Sequence, residues 1–196
     1  MGEKFQNRYR IPSARLKNWD YRSKGLYYIT ICCHRRVHHF GEVHNGRMVL
    51  SGIGEICDKY LKESPAHFPF VVVDAAVVMP DHLHAILMID GDDGLGDIDI
   101  DRDVACNVCT PDPIRNAAMA AISPQYGSLA SVVRSFKSAV SKEAHLINAG
   151  FRWHARFHDS IIRDEDEHLR IKKYIDDNPR KWGDRYPDHA DTTNRQ

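Results

Sequence analysis

Two apolar segments separated by a short break constrain the fold of this chain more than any other feature. Phe70–Val78 (FVVVDAAVV) is apolar enough to predict a strand buried on both faces. His82–Ile89 (HLHAILMI) predicts a second strand of similar length. Met79-Pro80-Asp81 breaks the first strand, so we expect the second to be its antiparallel partner.

The segments before this pair predict a strand followed by a helix. Leu26–Cys33 (LYYITICC) is rich in aromatic and β-branched residues and predicts a strand, and Arg47–Leu50 predicts a short one. Ser51 is a suitable first cap for a helix whose apolar residues follow at helical spacing. Pro65 and Pro69 are expected to end that helix.

The segments after the pair repeat the order of helix and strand. Gly127–Ile147 predicts a helix with one apolar face, and Arg156–Arg163 predicts a fourth strand. A last helix is predicted over Asp164–Asp177, ended by Asn178-Pro179. The apolar face consists of Leu129, Val132, Val133, Phe136, Val140 and Ala144. This order predicts an α+β fold, a ferredoxin-like split βαβ sandwich with a four-stranded antiparallel sheet, helices on one face and an added C-terminal helix.

Length and composition favour one globular domain. The chain has 196 residues, of which 42% are hydrophobic. No apolar run reaches the ~18 residues of a membrane span, and the polar N-terminus lacks a secretory signal, so we expect a cytoplasmic location. We divide the chain into a basic N-terminal arm (1–23), a main domain (24–183) with a mobile acidic insertion at about 91–125, and a C-terminal tail (184–196).

Charge and cysteine content exclude some classes of protein. The formal net charge is zero, so the chain as a whole is not a basic nucleic-acid binder. However, residues 1–36 are rich in Lys and Arg and residues 90–103 are rich in Asp, so a local basic surface could still attract phosphates, although it could equally be a solvated tail. Five cysteines with irregular spacing do not form a disulfide framework, and the Cys106–Cys109 pair favours reduced thiols over a metal knuckle.

Two pairs of residues carry the candidate chemistry. His82 and His84 alternate along a strand, so their side chains lie on one face and could share a divalent metal, or could simply occupy a half-exposed face. Tyr174 and Asn178 are one helical turn apart. The amide could be a third metal ligand and the phenol a nucleophile, but a packing tyrosine and a helix-ending asparagine are equally compatible with this spacing.

Four motifs in order resemble the single-tyrosine HUH transposases, with the REP-associated tyrosine transposases as the closest branch. They are MPDHLH with its apolar strand, GSLASVVRSFKSAV, FHDSIIRDEDE and YIDDNPRKW. The resemblance implies that His82 and His84 bind Mg²⁺ or Mn²⁺, that Asn178 completes this site, and that Tyr174 is the nucleophile. Asp81 departs from the pattern, since many members have Asn before the first histidine.

The resemblance implies a metal-dependent single-stranded DNA endonuclease and strand transferase that acts through a 5′-phosphotyrosine on hairpin repeat DNA, as a monomer or homodimer. A nucleic-acid-binding protein of this fold without catalysis, and a metal-dependent hydrolase that uses water, remain open alternatives. The residues we expect to contact DNA are Arg35, Arg36, Arg134, Lys137 and His158.

Overall fold

The structure, a computed structural model, describes residues 19–90, 124 and 127–185. Of the N-terminal arm it adds the backbone of two short antiparallel strands, β1 (Lys4–Phe5) and β2 (Arg8–Tyr9). The predicted insertion at 91–125, with its cysteine pair, lies outside the described residues except for position 124. The predicted tail lies outside them from residue 186 onward.

The main elements follow the predicted order, and the short strand predicted at Arg47–Leu50 forms a hairpin with one further strand before the first helix. In chain order they are β3 (Gly25–Cys33), β4 (Gly41–His44), β5 (Arg47–Leu50), α1 (Gly52–His67), β6 (Val71–Met79), β7 (His82–Ile89), α2 (Leu129–Ile147), β8 (Trp153–Ile162) and α3 (Glu165–Arg185). A 3₁₀ turn, His34–Arg36, follows β3. Ser51 and Ser128 cap α1 and α2 by accepting hydrogen bonds from backbone N–H groups of the first turn.

The main sheet has four antiparallel strands in the order β6-β7-β3-β8. Each βα-unit therefore places its two strands on either side of a strand from the other unit, which is the ferredoxin-like topology predicted from the sequence. The central pair, β7 and β3, is paired along its whole length from Gly25–Ile89 to Cys32–His82. This register fixes which β3 side chains stand beside the two histidines.

The two faces of the sheet are covered by different helices. The larger core lies between the sheet and the pair α1 and α2, and all six predicted apolar residues of α2 are buried in it. On the other face, α3 packs on β6 and β7 over a small cluster of buried residues, Ile86, Ile162 and Ile175. The histidines of β7 point toward α3, because Leu83 and Ala85 between and beyond them point into the larger core.

Three predictions of local structure are wrong. β6 is not buried on both faces, because Val72 is 44% exposed. The strand also lies at the edge of the sheet. Pro65 does not end α1, which continues to His67, and Pro179 does not end α3, which continues to Arg185. A proline inside a helix removes one backbone hydrogen bond, and here the packing of later residues offsets that loss. Trp182, beyond Pro179, is buried against the ring of His82.

None of the helices in the described part of the chain combines the length and the hydropathy needed to cross a bilayer.

Candidate active site

The two histidines of β7 form the centre of the candidate site. Both are buried, with 7% and 5% of their surface exposed. Histidine is less often fully buried than the aliphatic residues that usually occupy a central strand. Their Nε2 atoms are 3.0 Å apart. The strand therefore holds two ring nitrogens facing one another on the side of the sheet that α3 covers.

The outer nitrogen of His82 is held by the neighbouring carboxylate. Its Nδ1 atom hydrogen-bonds to Oδ1 of Asp81, which is itself buried. Burial alone would raise the pKa of Asp81, but the hydrogen bond from His82 and the nearby positive charge of Arg36 help to outweigh it and lower that pKa. An ionised carboxylate accepts a hydrogen bond from Nδ1–H, which places the lone pair of a neutral His82 on Nε2, the nitrogen nearest His84.

The outer nitrogen of His84 is held by two hydroxyl groups from β3. Its Nδ1 atom lies 2.7 Å from Oη of Tyr28 and 2.9 Å from Oγ1 of Thr30. Burial raises the pKa of Tyr28 to about 12, so its phenol remains neutral near pH 7. Either hydroxyl oxygen can accept a hydrogen bond from Nδ1–H of His84, an arrangement that places the lone pair of the neutral ring on Nε2, 3.0 Å from Nε2 of His82.

α3 presents a tyrosine, an asparagine and a tryptophan to this centre. Tyr174 lies with its ring centroid 5.4 Å from that of His84, and Trp182 lies 5.7 Å from His82 in the same measure. Asn178 is four residues from each, so it lies on the same helix face between them, and it is buried to 6% exposure. All these residues belong to one chain, so a single copy brings the tyrosine to the histidines.

The helical position of Asn178 changes the interpretation of this residue. The sequence allows it to be a helix-ending asparagine, but α3 continues for seven residues beyond it, to Arg185. It therefore does not cap the helix. A buried amide inside a helix, on the face that carries Tyr174 and Trp182, is available as a ligand or a hydrogen-bonding group.

The donor atoms of this centre fit a divalent metal ion. Two ligands about 2.1 Å from one octahedral ion and at right angles to each other are about 3.0 Å apart, which matches the separation of the two Nε2 atoms. Ligating histidines usually donate their other ring N–H to a carboxylate or another oxygen, as both rings can here. Within the described part of the chain, no three His, Cys, Asp or Glu side chains converge on a metal position. Among the described residues, the buried amide of Asn178, on the helix face that carries Tyr174, is a candidate for a third protein ligand.

Two of the residues predicted to contact DNA border the site at the end of β3. Arg35 and Arg36 both adopt a φ of 56°, in the left-handed region that non-glycine residues rarely occupy. The guanidinium of Arg36 lies 3.5 Å from Oδ2 of Asp81, and the backbone N–H of Cys33 donates to the Asp81 carbonyl. The turn is thereby attached to the histidine pair through Asp81.

His158 also lies on the side of the sheet that carries the site. It pairs with Thr30, which in turn pairs with His84, so the three residues form one row across β8, β3 and β7. Paired residues point to the same face, and neighbouring strands are about 4.8 Å apart, which places His158 roughly 10 Å from His84. His158 is exposed, as expected of a side chain at the edge of a binding surface.

The other two predicted DNA contacts are not brought to the tyrosine. Arg134 and Lys137 lie on α2, on the opposite side of the sheet. The ammonium of Lys137 donates to the carbonyl of His154 at 2.7 Å and lies 5.9 Å from the ring of Trp153. Burial lowers the pKa of Lys137. Its contacts fasten α2 to β8, and its role toward DNA stays a prediction.

Three residues that surround the histidines carry no separate signal in the local sequence. Tyr28 and Thr30 alternate on β3, but only the β3–β7 register places both beside His84. Trp182 lies eight residues beyond Tyr174 on the same helix face. The sequence predicts that the helix ends at Pro179, so Trp182 was not expected to belong to it. The register and the full length of α3 were both needed to find them.

Comparison with known proteins assigns the fold and the family. No protein-family model matches the chain. A solved structure of a REP-associated tyrosine transposase bound to a REP hairpin matches 88% of this chain and 75% of that chain, with a TM-score of 0.54 and 16% sequence identity, which establishes a shared fold. An uncharacterized protein of Haemophilus influenzae (strain ATCC 51907 / DSM 11121 / KW20 / Rd) is 35% identical over 174 residues, 87% of this chain and 88% of that protein. The chain therefore belongs to the same family as this Haemophilus influenzae protein and has the HUH tyrosine transposase-like fold.

Proposed function

We propose that the protein is a metal-dependent single-stranded DNA endonuclease and strand transferase that acts through Tyr174 on hairpin repeat DNA. One observation carries the proposal. A single chain places the Tyr174 ring 5.4 Å from His84, while the Nε2 atoms of His82 and His84 face each other at 3.0 Å. A nucleophile beside a pair of converging ligands is the arrangement that phosphodiester cleavage requires.

The proposed reaction has two balanced steps. In the first, the phenol oxygen of Tyr174 forms a bond to phosphorus, the bond from phosphorus to the 3′-oxygen breaks, and the phenol proton passes to solvent while the leaving 3′-oxygen is protonated. The product is a 5′-phosphotyrosine and a free 3′-hydroxyl. In the second step, a 3′-hydroxyl attacks the same phosphorus and releases Tyr174. The phosphotyrosine retains the energy of the phosphodiester, so rejoining needs no ATP.

The residues that would hold the cofactor are His82, His84 and Asn178. Mg²⁺ or Mn²⁺ bound there would supply positive charge that polarises the scissile phosphate. Asp81 holds the ring of His82, and Tyr28 and Thr30 hold that of His84, so neither imidazole has to reorganise before it binds a metal.

The proposed DNA contacts fall into two groups. Arg35 and Arg36 lie in the turn after β3, where Arg36 contacts Asp81, and His158 lies on the side of the sheet that carries Tyr174, so we assign these three to the strand next to the scissile phosphate. Arg134 and Lys137 lie on the opposite side, so they would contact another part of the same DNA. The hairpin substrate is proposed because the transposase that shares this fold was solved with a REP hairpin.

The test is incubation of the protein with labelled hairpin DNA and Mg²⁺ or Mn²⁺, followed by a denaturing gel. We expect a labelled band at the mass of the protein plus DNA, and we expect Tyr174→Phe to abolish it while DNA binding persists. Tyr60→Phe is the matched control, because it removes a phenol hydroxyl that bonds to Glu143 at 2.5 Å, away from the site.

Other results would point to the alternatives. Cleavage that survives in Tyr174→Phe, or cleavage without an adduct, would replace the covalent mechanism with a hydrolase that uses water. Binding without cleavage by the unaltered protein would leave a DNA-binding protein of this fold.

A further inference from the structure

A β-bulge in the edge strand β6 lies beneath the helix that carries the tyrosine. Val73 pairs with Leu87 and Ala75 pairs with Ile86, so Asp74 is an extra residue between two consecutive partners on β7. The bulge changes the direction of the side chains, since Val73 packs in the larger core whereas Ala75 packs in the small cluster under α3. An extra residue of this kind turns the following side chains to the face of the sheet opposite to the one that a regular strand would give them.

Asp74 uses both carboxylate oxygens to hold α3. Its Oδ2 lies 2.8 Å from Nε2 of His168, and its Oδ1 accepts from Nζ of Lys172 at 3.1 Å. Burial alone would raise the pKa of Asp74, but the hydrogen bonds from these two groups together outweigh it and lower that pKa. Because the two donors are one helical turn apart, the pair of contacts restrains α3 both along its axis and around it.

These contacts matter because the apolar surface under α3 is small. Three buried residues, Ile86, Ile162 and Ile175, form the centre of that cluster, whereas α1 and α2 share the extensive core on the other face. Apolar burial favours contact without fixing direction. Hydrogen bonds are directional, so the two bonds to the Asp74 carboxylate restrain the position of the helix along β6.

We propose that Asp74 is a positioning residue for Tyr174, acting through His168 and Lys172 to fix the tyrosine against His84. Lys172 is two residues before Tyr174, about 3 Å along the helix axis, so a displacement at the carboxylate reaches the phenol almost undiminished. A misplacement of about 1 Å can cost roughly a hundredfold in rate. The inference rests on the proposed function for its activity readout.

The first test compares Asp74→Ala and Asp74→Asn with the unaltered protein. We expect the single-turnover rate of adduct formation to fall about tenfold to a hundredfold in Asp74→Ala and less in Asp74→Asn, which keeps one acceptor oxygen. The dissociation constant for hairpin DNA should change less than about twofold, because Asp74 faces α3 rather than the proposed DNA surface. Asp58→Ala is the matched control, since Asp58 pairs with Lys62 at 2.6 Å on α1.

A mutant cycle tests whether the effect passes through the two donors. His168→Phe and Lys172→Met each remove one hydrogen-bond donor to Asp74, and each should slow adduct formation by part of the loss seen in Asp74→Ala. In the triple variant the loss should equal that of Asp74→Ala alone, because all three changes remove the same interaction. Fully additive losses would overturn the proposal.

Hydrogen exchange gives a readout that does not depend on catalysis. In Asp74→Ala the backbone amides of α3 should exchange about tenfold faster, while those of α1 and α2 stay unchanged. Equal acceleration in all three helices would make Asp74 a general stabilising residue and overturn the proposal, as would unchanged exchange in α3. If the unaltered protein formed no adduct, the proposed function would fail, yet the exchange result would still decide whether Asp74 positions α3.

Discussion

Removal of the Tyr28 hydroxyl should weaken metal binding without changing the fold. Tyr28→Phe deletes one of the two oxygens at Nδ1 of His84, at 2.7 Å, and leaves Oγ1 of Thr30 at 2.9 Å. Loss of such a partner behind a ligating histidine typically lowers metal affinity 10- to 100-fold, that is, by about 1.4 to 2.8 kcal/mol. Because Thr30 remains, we expect Tyr28→Phe to be near the tenfold end and the double variant with Thr30→Val to be near a hundredfold.

The assay is calorimetric titration with Mn²⁺, which does not require the protein to cut DNA. The Mn²⁺ concentration that gives half-maximal adduct formation should rise by the same factor as the dissociation constant. Tyr60→Phe again serves as the matched control, since its hydroxyl bonds to Glu143 rather than to the histidine pair. The free energy of unfolding without metal should change by only about 1 kcal/mol, the net value of one hydrogen bond.

One result would refute the reasoning. If the double variant bound Mn²⁺ as tightly as the unaltered protein, the two hydroxyls would not orient a ligating imidazole, and His84 would not be a metal ligand. A fall in affinity of the same size in Tyr60→Phe would show instead that the loss is not specific to the site.

Four further perturbations test the packing of α3. Gly46 has a φ of +71°, and a Cβ there would lie 3.4 Å from Cα of Arg180, so Gly46→Ala should lower the free energy of unfolding in urea by about 1 kcal/mol. Gly183 has open space around it inside a helix, so Gly183→Ala should raise the same free energy by up to about 1 kcal/mol. Ile175→Ala empties a site that is 1% exposed and should lower the free energy of unfolding by about 2–5 kcal/mol in the same assay; a loss below about 1 kcal/mol would contradict the assigned packing. The pKa of Asp74 is lowered on folding, so its carboxylate stabilises the fold above the ordinary value of 3.8, and this stabilisation is lost as the pH falls through the folded value. The difference in the free energy of unfolding between the unaltered protein and Asp74→Asn should therefore shrink between pH 7 and pH 3. A difference that stays constant over this range would show that the carboxylate is not the interacting group.

Local periodicity was sufficient to predict the order of the main elements. Side chains alternate in a strand and repeat every 3.6 residues in a helix, so the apolar face of α2 and the common face of His82 and His84 follow from spacing alone. The caps at Ser51 and Ser128 are equally local, because a side-chain oxygen bonds to an N–H three residues on. The split βαβ order then restricts the topology to few choices.

Local signals failed where packing between distant segments opposed them. Pro179 predicts the end of a helix because it lacks an N–H group, yet α3 continues because Trp182 is buried against His82. The apolar composition of β6 predicts burial on both faces, yet Val72 is 44% exposed, and the strand lies at the edge of the sheet, where a bulge and a charged residue at Asp74 interrupt it. In both cases the free energy depends on contacts that the local sequence does not contain.

By itself the sequence determined the residue types of the site and the side of each element on which they lie. The tertiary structure decided that they meet. The β3–β7 register sets Tyr28 and Thr30 beside His84, and the docking of α3 on the face opposite α1 and α2 brings Tyr174 and Asn178 over the histidine pair. Register and docking arise from pairings between residues far apart in the chain, and spacing along a sequence carries no information on those distances.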